Sequence, residues 1–227
     1  MFAEVRSMTN SPIDRFADPL YTRAEAARFL GVKESTFNRW AKETNLVTTL
    51  EVPRGEAAVP FIGLAEAYAL HAFRALKVPL QRIRPALDAL AREFGLEHTL
   101  ASQRLYTDGA EVLYDYRSST GEDADDLVVV RHNQPVFRDV VRDHPKRVEY
   151  VDGYAQRLPL LGYNEAELFV DPRRAFGQPA FARGGARLAD ALDLFRSGEP
   201  FEVVAAEFGI PENQMQAVLR TFLPAAA

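Results

Sequence analysis

The pattern of apolar and polar positions is clearest between Tyr21 and Lys42, where apolar residues recur every three or four positions. This is the period of one face of an α-helix, and Gly31 interrupts it once. Thr22 and Glu25 have the spacing of a capping box, in which a hydroxyl and a carboxylate satisfy free backbone donors at a helix start. The stretch therefore predicts two short helices joined by a tight turn, which is a helix-turn-helix.

The polar side chains of the second predicted helix lie away from the apolar face that Phe37 and Trp40 define. Hydroxyl, amide and guanidinium groups can contact phosphates and base edges in the major groove of DNA. We expect Asn38 and Arg39 to read bases. The alternative is a small helical bundle whose charged face is only solvated. The candidate DNA-binding residues are Lys33, Ser35, Thr36, Asn38, Arg39, Lys42 and Arg54.

Two short extended runs, Val47 to Leu50 and Val59 to Ile62, flank the turn residues Pro53 to Glu56. Two strands around such a turn, directly after the second helix, would form a wing. With the apolar segment Phe61 to Leu76 that follows, this order resembles the MerR-like winged helix-turn-helix. Metal and redox sensors of that family use cysteines, which this chain lacks, and the long dimerisation helix of the family has no counterpart in the sequence.

Two further helices, Leu64 to Leu76 and Leu80 to Phe94, complete the first predicted domain, and after them the hydrophobic period changes. Short runs rich in Val, Tyr and Leu predict strands, with hairpin turns at Asp108-Gly109 and Asp152-Gly153. A helix from Pro135 to Arg142 would cross this sheet. The predicted strands are Arg104 to Thr107, Val112 to Tyr116, Leu127 to Val130, Val148 to Val151 and Tyr154 to Leu158.

Three more helices are predicted near the C-terminus, over Arg187 to Arg196, Pro200 to Phe208 and Pro211 to Phe222. The last two repeat the opening motif, since Ala205 and Gly209 have the spacing of Ala27 and Gly31. Their charge is different, because the segment Glu199 to Phe222 carries four glutamates and one arginine and phosphate would repel it. We expect this second helix-turn-helix to contact protein, as a dimer or partner surface, rather than DNA.

Composition narrows the class of function. The chain has 227 residues and no cysteine, which excludes disulfides, thiol catalysis and the common structural zinc sites. Phosphate loops, paired catalytic carboxylates and nucleophile signatures are missing from the sequence, so neither an enzyme nor a bound cofactor is expected.

The sequence contains no membrane span and no signal peptide, which predicts a cytoplasmic protein. The net charge is −5, yet residues 71–85 carry four cations and no acid, so this part of the first predicted domain is basic.

The predicted fold class is α+β: a winged helix-turn-helix, a small antiparallel-sheet module and a C-terminal helical domain. The expected boundaries are a flexible tail over residues 1–19, the DNA-binding domain over 20–97, the middle module over 98–170 and the helical interaction domain over 171–227.

The C-terminal domain carries a second resemblance. An extended lead from Asp171 to Pro179, followed by Ser197-Gly198-Glu199 and by Glu207 to Ile210, resembles the family called domain of unknown function four-three-three. That resemblance implies an antitoxin of a type II toxin-antitoxin operon. Such a protein would bind operator DNA, repress its own operon and neutralise a PIN-like ribonuclease toxin. We expect it to form a homodimer.

PIN-type ribonucleases are expected to hold a divalent metal with carboxylates, and an arginine can occupy such a pocket by forking onto two carboxylate oxygens. The resemblance thus implies that the segment from Asp171 to Arg187 binds the toxin. Its arginines could instead pair with carboxylates of the same chain, such as Asp190. The chain could also be a one-component transcriptional regulator whose middle module binds a small-molecule effector. The candidate toxin-binding residues are Arg173, Arg174, Phe176, Phe181, Arg183 and Arg187.

Overall fold

The structure is a computed structural model, and it describes residues 12–42, 46–75, 84, 87–88, 91–92, 95–107, 147–163 and 165–222. In these ranges the chain combines helices with one small antiparallel sheet, in agreement with the predicted α+β class. Some predicted elements lie wholly or partly outside the described residues. They are the strands Val112 to Tyr116 and Leu127 to Val130, the turn Asp108-Gly109, the helix Pro135 to Arg142 and much of the helix Leu80 to Phe94.

Seven helices and four strands have defined bounds within the described residues. The helices are α1 (Arg23–Phe29), α2 (Glu34–Lys42), α3 (Phe61–Ala75), α4 (Gln103–Thr107), α5 (Leu188–Arg196), α6 (Phe201–Phe208) and α7 (Glu212–Phe222). The strands are β1 (Glu149–Val151), β2 (Tyr154–Pro159), β3 (Leu168–Val170) and β4 (Ala180–Phe181). Short 3-10 turns lie at Thr99–Ala101, Leu161–Tyr163 and Ala175–Gly177.

The predicted helix-turn-helix is formed by α1 and α2. Thr22 caps α1 as predicted, because its hydroxyl accepts from the Glu25 amide while the Glu25 carboxylate accepts from the Thr22 amide. Gly31 follows α1 with a φ of 68°, a left-handed conformation that favours glycine and reverses the chain. Phe37 and Trp40 are buried, so α2 packs on α1 through the predicted face. We call residues 20–75 the head.

Residues 46–60, before α3, form an irregular turn that returns to the start of the head. The Leu50 amide donates to the Ala58 carbonyl at 2.7 Å, and Val59 forms an isolated antiparallel bridge with Tyr21. The predicted wing strands are wrong: residues 47–50 form no strand, and the second run makes only the bridge at Val59 before α3 begins at Phe61. Residues 61–70 are all buried, and a short run that is apolar on every side cannot be assigned to strand or helix by its period.

The sheet follows chain order, β1-β2-β3-β4, and each neighbouring pair is antiparallel. The predicted hairpin joins β1 to β2 at Asp152-Gly153, where both residues have the positive φ that a tight turn requires, 51° and 79°. The predicted strand Arg104 to Thr107 is wrong, since these residues form α4. The reason is local: the Ser102 hydroxyl accepts from the Arg104 amide at 3.2 Å and starts a helix.

Two parts of the chain have the same backbone structure, because α6 and α7 repeat α1 and α2. In the head, the Val32 amide donates to the Ala27 carbonyl at 3.0 Å, and the corresponding bond from Ile210 to Ala205 is 2.8 Å. Both turns contain a left-handed glycine, with φ values of 68° at Gly31 and 62° at Gly209. We call α5 to α7 the tail. The repeat seen in the sequence is therefore a repeat of helix ends and turn geometry.

The head and the tail meet at the 3-10 turn Leu161–Tyr163. Gly162 lies so close to the end of α1 that a β-carbon there would be 1.8 Å from the Arg28 carbonyl oxygen. On its other side, the Tyr163 ring stacks on Phe222 of α7, with centroids 5.7 Å apart. The Arg28 guanidinium lies 6.0 Å from the centroid of the same Phe222 ring. The turn is thus packed between the two helix-turn-helix units and fixes one against the other.

The apolar residues of the tail are covered mainly by the chain itself. Val204 and Met215 are fully buried, whereas Val203 is 48% exposed. An exposed ion pair between Arg220 and Glu165, at 2.9 Å, also connects α7 to the segment before β3. The tail therefore packs on its own middle region, and a dimer contact through the tail stays a prediction.

Arg15 and Phe16 contact the sheet, although the sequence placed them in a flexible tail. The Arg15 guanidinium donates to the Gln156 side-chain oxygen at 2.7 Å. The Phe16 ring meets the Tyr154 ring edge to face, with centroids 5.3 Å apart. The prediction of a flexible tail is wrong for these two residues, because the Arg15 guanidinium and the Phe16 ring both contact side chains of β2.

A buried carboxylate on α3 joins two segments of the head to residue 98. Glu66 is 5% exposed; it accepts from the Thr48 amide at 2.6 Å and pairs with the His98 Nδ1 at 2.9 Å. The hydrogen bond to Glu66 raises the pKa of His98 above its ordinary value of 6.5, although burial of the ring opposes the change. Phe16 lies against the other side of the imidazole, with ring centroids 5.5 Å apart.

We expect the stability of the fold to depend on pH through His98. Because its folded pKa is raised, the stabilisation is fully present below the unfolded pKa of 6.5 and is lost as pH rises through the folded pKa. Urea unfolding of wild type and His98→Gln across this range measures the effect, and the variant should lack it. Burial lowers the pKa of His71, so its contribution has the opposite sign and His71→Gln should steepen the gain toward acid pH. An unchanged dependence in His98→Gln would assign it to another group.

Candidate DNA-binding face and arginine loop

The exposed side of α2 presents polar groups that the sequence assigned to DNA. Ser35, Arg39 and Lys42 are exposed and lie on one face, since they are four and three positions apart. Asn38 and Thr36 are half-buried at the two edges of this face. The helical period therefore brings five of the candidate residues onto one surface. Their roles in DNA binding stay a prediction.

A groove of 630 Å³ lies between α2, the first turn of α1 and the turn at residues 53–56. Its polar lining residues are Thr22, Arg23, Glu34, Asn38, Lys42, Arg54 and Glu56. Three cations outnumber two carboxylates here, so the groove favours an anionic ligand. Arg54 thus lies across the groove from α2. Lys33 is exposed before α2 and does not line the groove.

Arg23 is a groove residue that sequence reasoning missed. Its Nε is buried without a hydrogen-bond partner, and the same is true of the Asn38 Oδ1. In the sequence, Arg23 is one of several charged residues of a short amphipathic helix, with no feature that sets it apart. Linear spacing does not show that the turn at residues 53–56 folds back beside the first turn of α1.

The lead contains a tight turn, residues 171–177, which we call the arginine loop. Ala175 and Phe176 both have left-handed backbone conformations, with φ values of 49° and 53°. Such a conformation costs a residue other than glycine about 1–2 kcal/mol. Phe176 is 67% exposed, and Arg173 and Arg174 before it are exposed as well. The loop therefore presents two cations and an aromatic ring to solvent from a strained turn.

Buried polar groups hold this loop at both ends. Asp171 is 2% exposed and accepts from the Arg173 amide at 2.9 Å and from the Gln156 side-chain amide at 2.8 Å. At the other end, the buried Tyr21 hydroxyl donates to the Gly177 carbonyl at 2.8 Å. Burial raises the pKa of Tyr21, so its hydroxyl remains protonated and able to donate. The arginine loop is thereby fixed to β2 and to the head.

The other candidate toxin-binding residues differ in exposure. Arg183 is exposed, whereas Arg187 donates to both carboxylate oxygens of Asp190, at 2.7 and 2.8 Å. Pairing with Asp190 inside the chain is the alternative to toxin binding that the sequence analysis named for these arginines. The expectation that Phe181 contacts a partner is corrected, because the side chain is 1% exposed in β4. Its pairing with Leu168 of β3 places the ring in the core.

Comparison with known proteins agrees with the helix-turn-helix of the head. Residues 19–45 and 42–87 match the family described as "Putative DNA-binding HTH domain". The chain is 41% identical over 226 residues to the Mycobacterium tuberculosis protein named "Putative antitoxin VapB45", covering 90% of this chain and 94% of that protein. The chain belongs to the VapB45 family. The X-ray crystal structure of Rv2018 from Mycobacterium tuberculosis matches with a TM-score of 0.76 and 41% identity, covering 90% of this chain and 99% of that one.

Membership of the VapB45 family, together with the matched DNA-binding domain, confirms the helix-turn-helix predicted for the first domain. The finer resemblances, to MerR-like heads and to the four-three-three family, stay predictions. In the part of the chain that the structure describes, no helix is both long and apolar enough to cross a membrane. The same residues contain no cluster of three or more histidine, aspartate or glutamate side chains arranged to hold a metal ion.

Proposed function

We propose that this member of the VapB45 family is a DNA-binding antitoxin that represses its own operon and neutralises a toxin. The observation that carries the DNA-binding half is the exposed polar face of α2, with Arg54 across a groove from it. The family supports the antitoxin half, because a relative at 41% identity is named "Putative antitoxin VapB45". The protein then acts in the cytoplasm by binding and not by catalysis.

On the operator, the residues of the head divide into two roles. Arg39 and Asn38 contact base edges, since guanidinium and amide groups can make paired hydrogen bonds to a single base. Cations position the protein on the phosphates without reading sequence, as Lys33, Lys42 and Arg54 would do here. As a homodimer, the protein would place two heads on two half-sites.

We expect Arg39→Ala to relax operator sequence preference and Lys42→Ala to reduce the salt dependence of binding. A paired contact to a base contributes about 1–3 kcal/mol of discrimination, and loss of one phosphate contact lowers the salt slope by about 1. Fluorescence anisotropy with the DNA that precedes the chain's own reading frame, over a series of salt concentrations, measures both quantities. Arg196→Ala, at an exposed position of α5, is the control. If both α2 variants bind as wild type does, this face does not read DNA.

The toxin-binding surface is the arginine loop with the neighbouring Arg183. The partner is a PIN-like ribonuclease, whose acidic metal pocket an arginine can enter with a pair of hydrogen bonds to a carboxylate. The exposed Phe176 ring adds an aromatic anchor of the kind found at binding hot spots. Co-expression with the product of the adjacent reading frame tests this half of the proposal: that product should arrest growth alone and lose its effect beside this chain.

The alternative from the sequence was a one-component regulator with an effector site in the middle module. Residues 108–146, which make up most of that module, lie outside the described part of the chain. The family relationship supports the antitoxin instead.

A further inference from the structure

The groove between α1, α2 and the turn at residues 53–56 is lined by two residues that each have a buried polar atom without a partner. One atom is a donor, the Nε of Arg23, and the other is an acceptor, the Oδ1 of Asn38. Nearly all buried polar groups in folded proteins are hydrogen-bonded, and leaving one unpaired is costly. Both atoms are closed to water in the unbound chain, so pairing them requires the two half-buried side chains to turn toward the groove, where a ligand that supplies one acceptor and one donor would pair both.

We infer that this groove binds one nucleotide unit of the operator, with Arg23 on its phosphate and Asn38 on an amino-bearing base. The inference rests on the DNA binding proposed above. The Asn38 oxygen accepts from the exocyclic amino group of adenine or cytosine, and with adenine the Asn38 amide also donates to N7. Guanine and thymine present acceptors at the equivalent major-groove positions, so they leave the Asn38 oxygen unpaired.

The charges around the groove fit this ligand. Arg23, Lys42 and Arg54 come from three separate segments, and together they favour a phosphate. Glu34 and Glu56 also line the groove, and they disfavour an anion that offers no donor of its own. A nucleotide suits both the cations and the carboxylates, because its phosphate oxygens accept hydrogen bonds and its amino group donates them.

The groove reads a different part of the operator from the outer face of α2. Arg39 and Ser35 are exposed and are not lining residues of the groove. Asn38 lies at the edge between the two surfaces, where its side chain is half-buried. We therefore expect Asn38 to control the base preference at one operator position without changing the preference that Arg39 sets.

The test uses the full chain and the DNA that precedes its reading frame, with each base of the binding site changed in turn. Asn38→Ala should lose the preference for adenine or cytosine at one position, by about 5- to 100-fold. Its melting temperature should stay level or rise, because the unpaired acceptor is removed. Asn38→Asp keeps an acceptor and loses the amide donor, so it should favour cytosine over adenine there. Arg23→Gln should lower the salt slope by about 1 and leave base preference unchanged.

Gln216→Ala is the matched control, because Gln216 occupies on α7 the position that Asn38 occupies on α2. It should leave DNA binding unchanged. If wild type binds none of this DNA, the proposed function fails. If wild type binds but Asn38→Ala and Asn38→Asp keep every base preference, or Arg23→Gln keeps the full salt slope, the nucleotide site is overturned while DNA binding stands. A lowered melting temperature in Asn38→Ala with unchanged base preference would likewise assign Asn38 a purely structural role.

Discussion

Replacing Arg173 and Arg174 together by alanine is expected to abolish neutralisation of the toxin while the melting temperature stays unchanged. Both side chains are exposed, and the one ion pair that involves them in the described structure, Arg173 with Asp171 at 3.5 Å, is long. The Asp171 carboxylate is buried, but in the double variant it keeps its hydrogen bonds from the Gln156 side chain and the Arg173 backbone amide, so loss of the long contact should cost little. An arginine at the centre of an interface contributes about 2 kcal/mol or more to binding, so the double variant should bind at least about 100-fold more weakly.

The strained turn offers a second way to test the same loop. Phe176→Ala removes the aromatic anchor and should weaken toxin binding while the fold persists. Ala175→Gly relieves a left-handed conformation at φ 49°, so it should raise stability by about 1 kcal/mol and loosen the loop before binding. Calorimetry measures the melting temperature, and inhibition of ribonuclease activity measures toxin binding. Together they separate a change in stability from a change in binding. Full inhibition by the double arginine variant, with a lowered melting temperature, would support the alternative that these arginines only fix the lead.

Gly162→Ala is expected to cause the largest loss of stability. The added carbon would lie 1.8 Å from the Arg28 carbonyl oxygen and 3.0 Å from both the Arg28 carbonyl carbon and the Gly31 nitrogen. All three atoms belong to the backbone, so no flexible side chain can move away to make room. Overpacking typically costs 1–3 kcal/mol, and we expect about 3 kcal/mol or more here because α1 and the turn must separate. The melting temperature should fall by roughly 10 °C.

Gly185→Ala is the control for Gly162→Ala. Gly185 has a φ of 71° and no atom within 4 Å of an added β-carbon, so the change costs only the conformational strain of about 1–2 kcal/mol. DNA binding and toxin neutralisation should decline together in Gly162→Ala, since the turn joins the head to the tail. A variant as stable as wild type would show that the two units are not packed as one body.

Some features of the fold could be predicted because they depend on backbone chemistry within a few residues. Thr22 with Glu25, the two left-handed glycines after α1 and α6, and the Asp152-Gly153 hairpin are all of this kind. The pairing of β3 with β4 could not be predicted. It joins Leu168 to Phe181 through strands of three and two residues, which are too short to show a period.

The same distinction applies to the candidate sites. The exposed face of α2 follows from helical spacing, so the positions of Arg39 and Lys42 were predictable. The burial of Phe181 was not, because an aromatic residue in an irregular segment rich in proline and glycine carries no sign of which side it faces. Arg23 was missed for a related reason: its place in the groove depends on a turn about 30 residues later, which is a tertiary contact.

The chain cannot be divided at Asp171, although its composition changes there. Truncation after Val170 would remove β4 and leave β3 with an unpaired edge, a surface that promotes aggregation. It would also take away Gly177, whose carbonyl oxygen accepts from the buried Tyr21 hydroxyl of the head at 2.8 Å. Substitutions can therefore separate the proposed DNA-binding and toxin-binding activities, but cleavage of the chain cannot. A protease that cuts the lead would inactivate both at once.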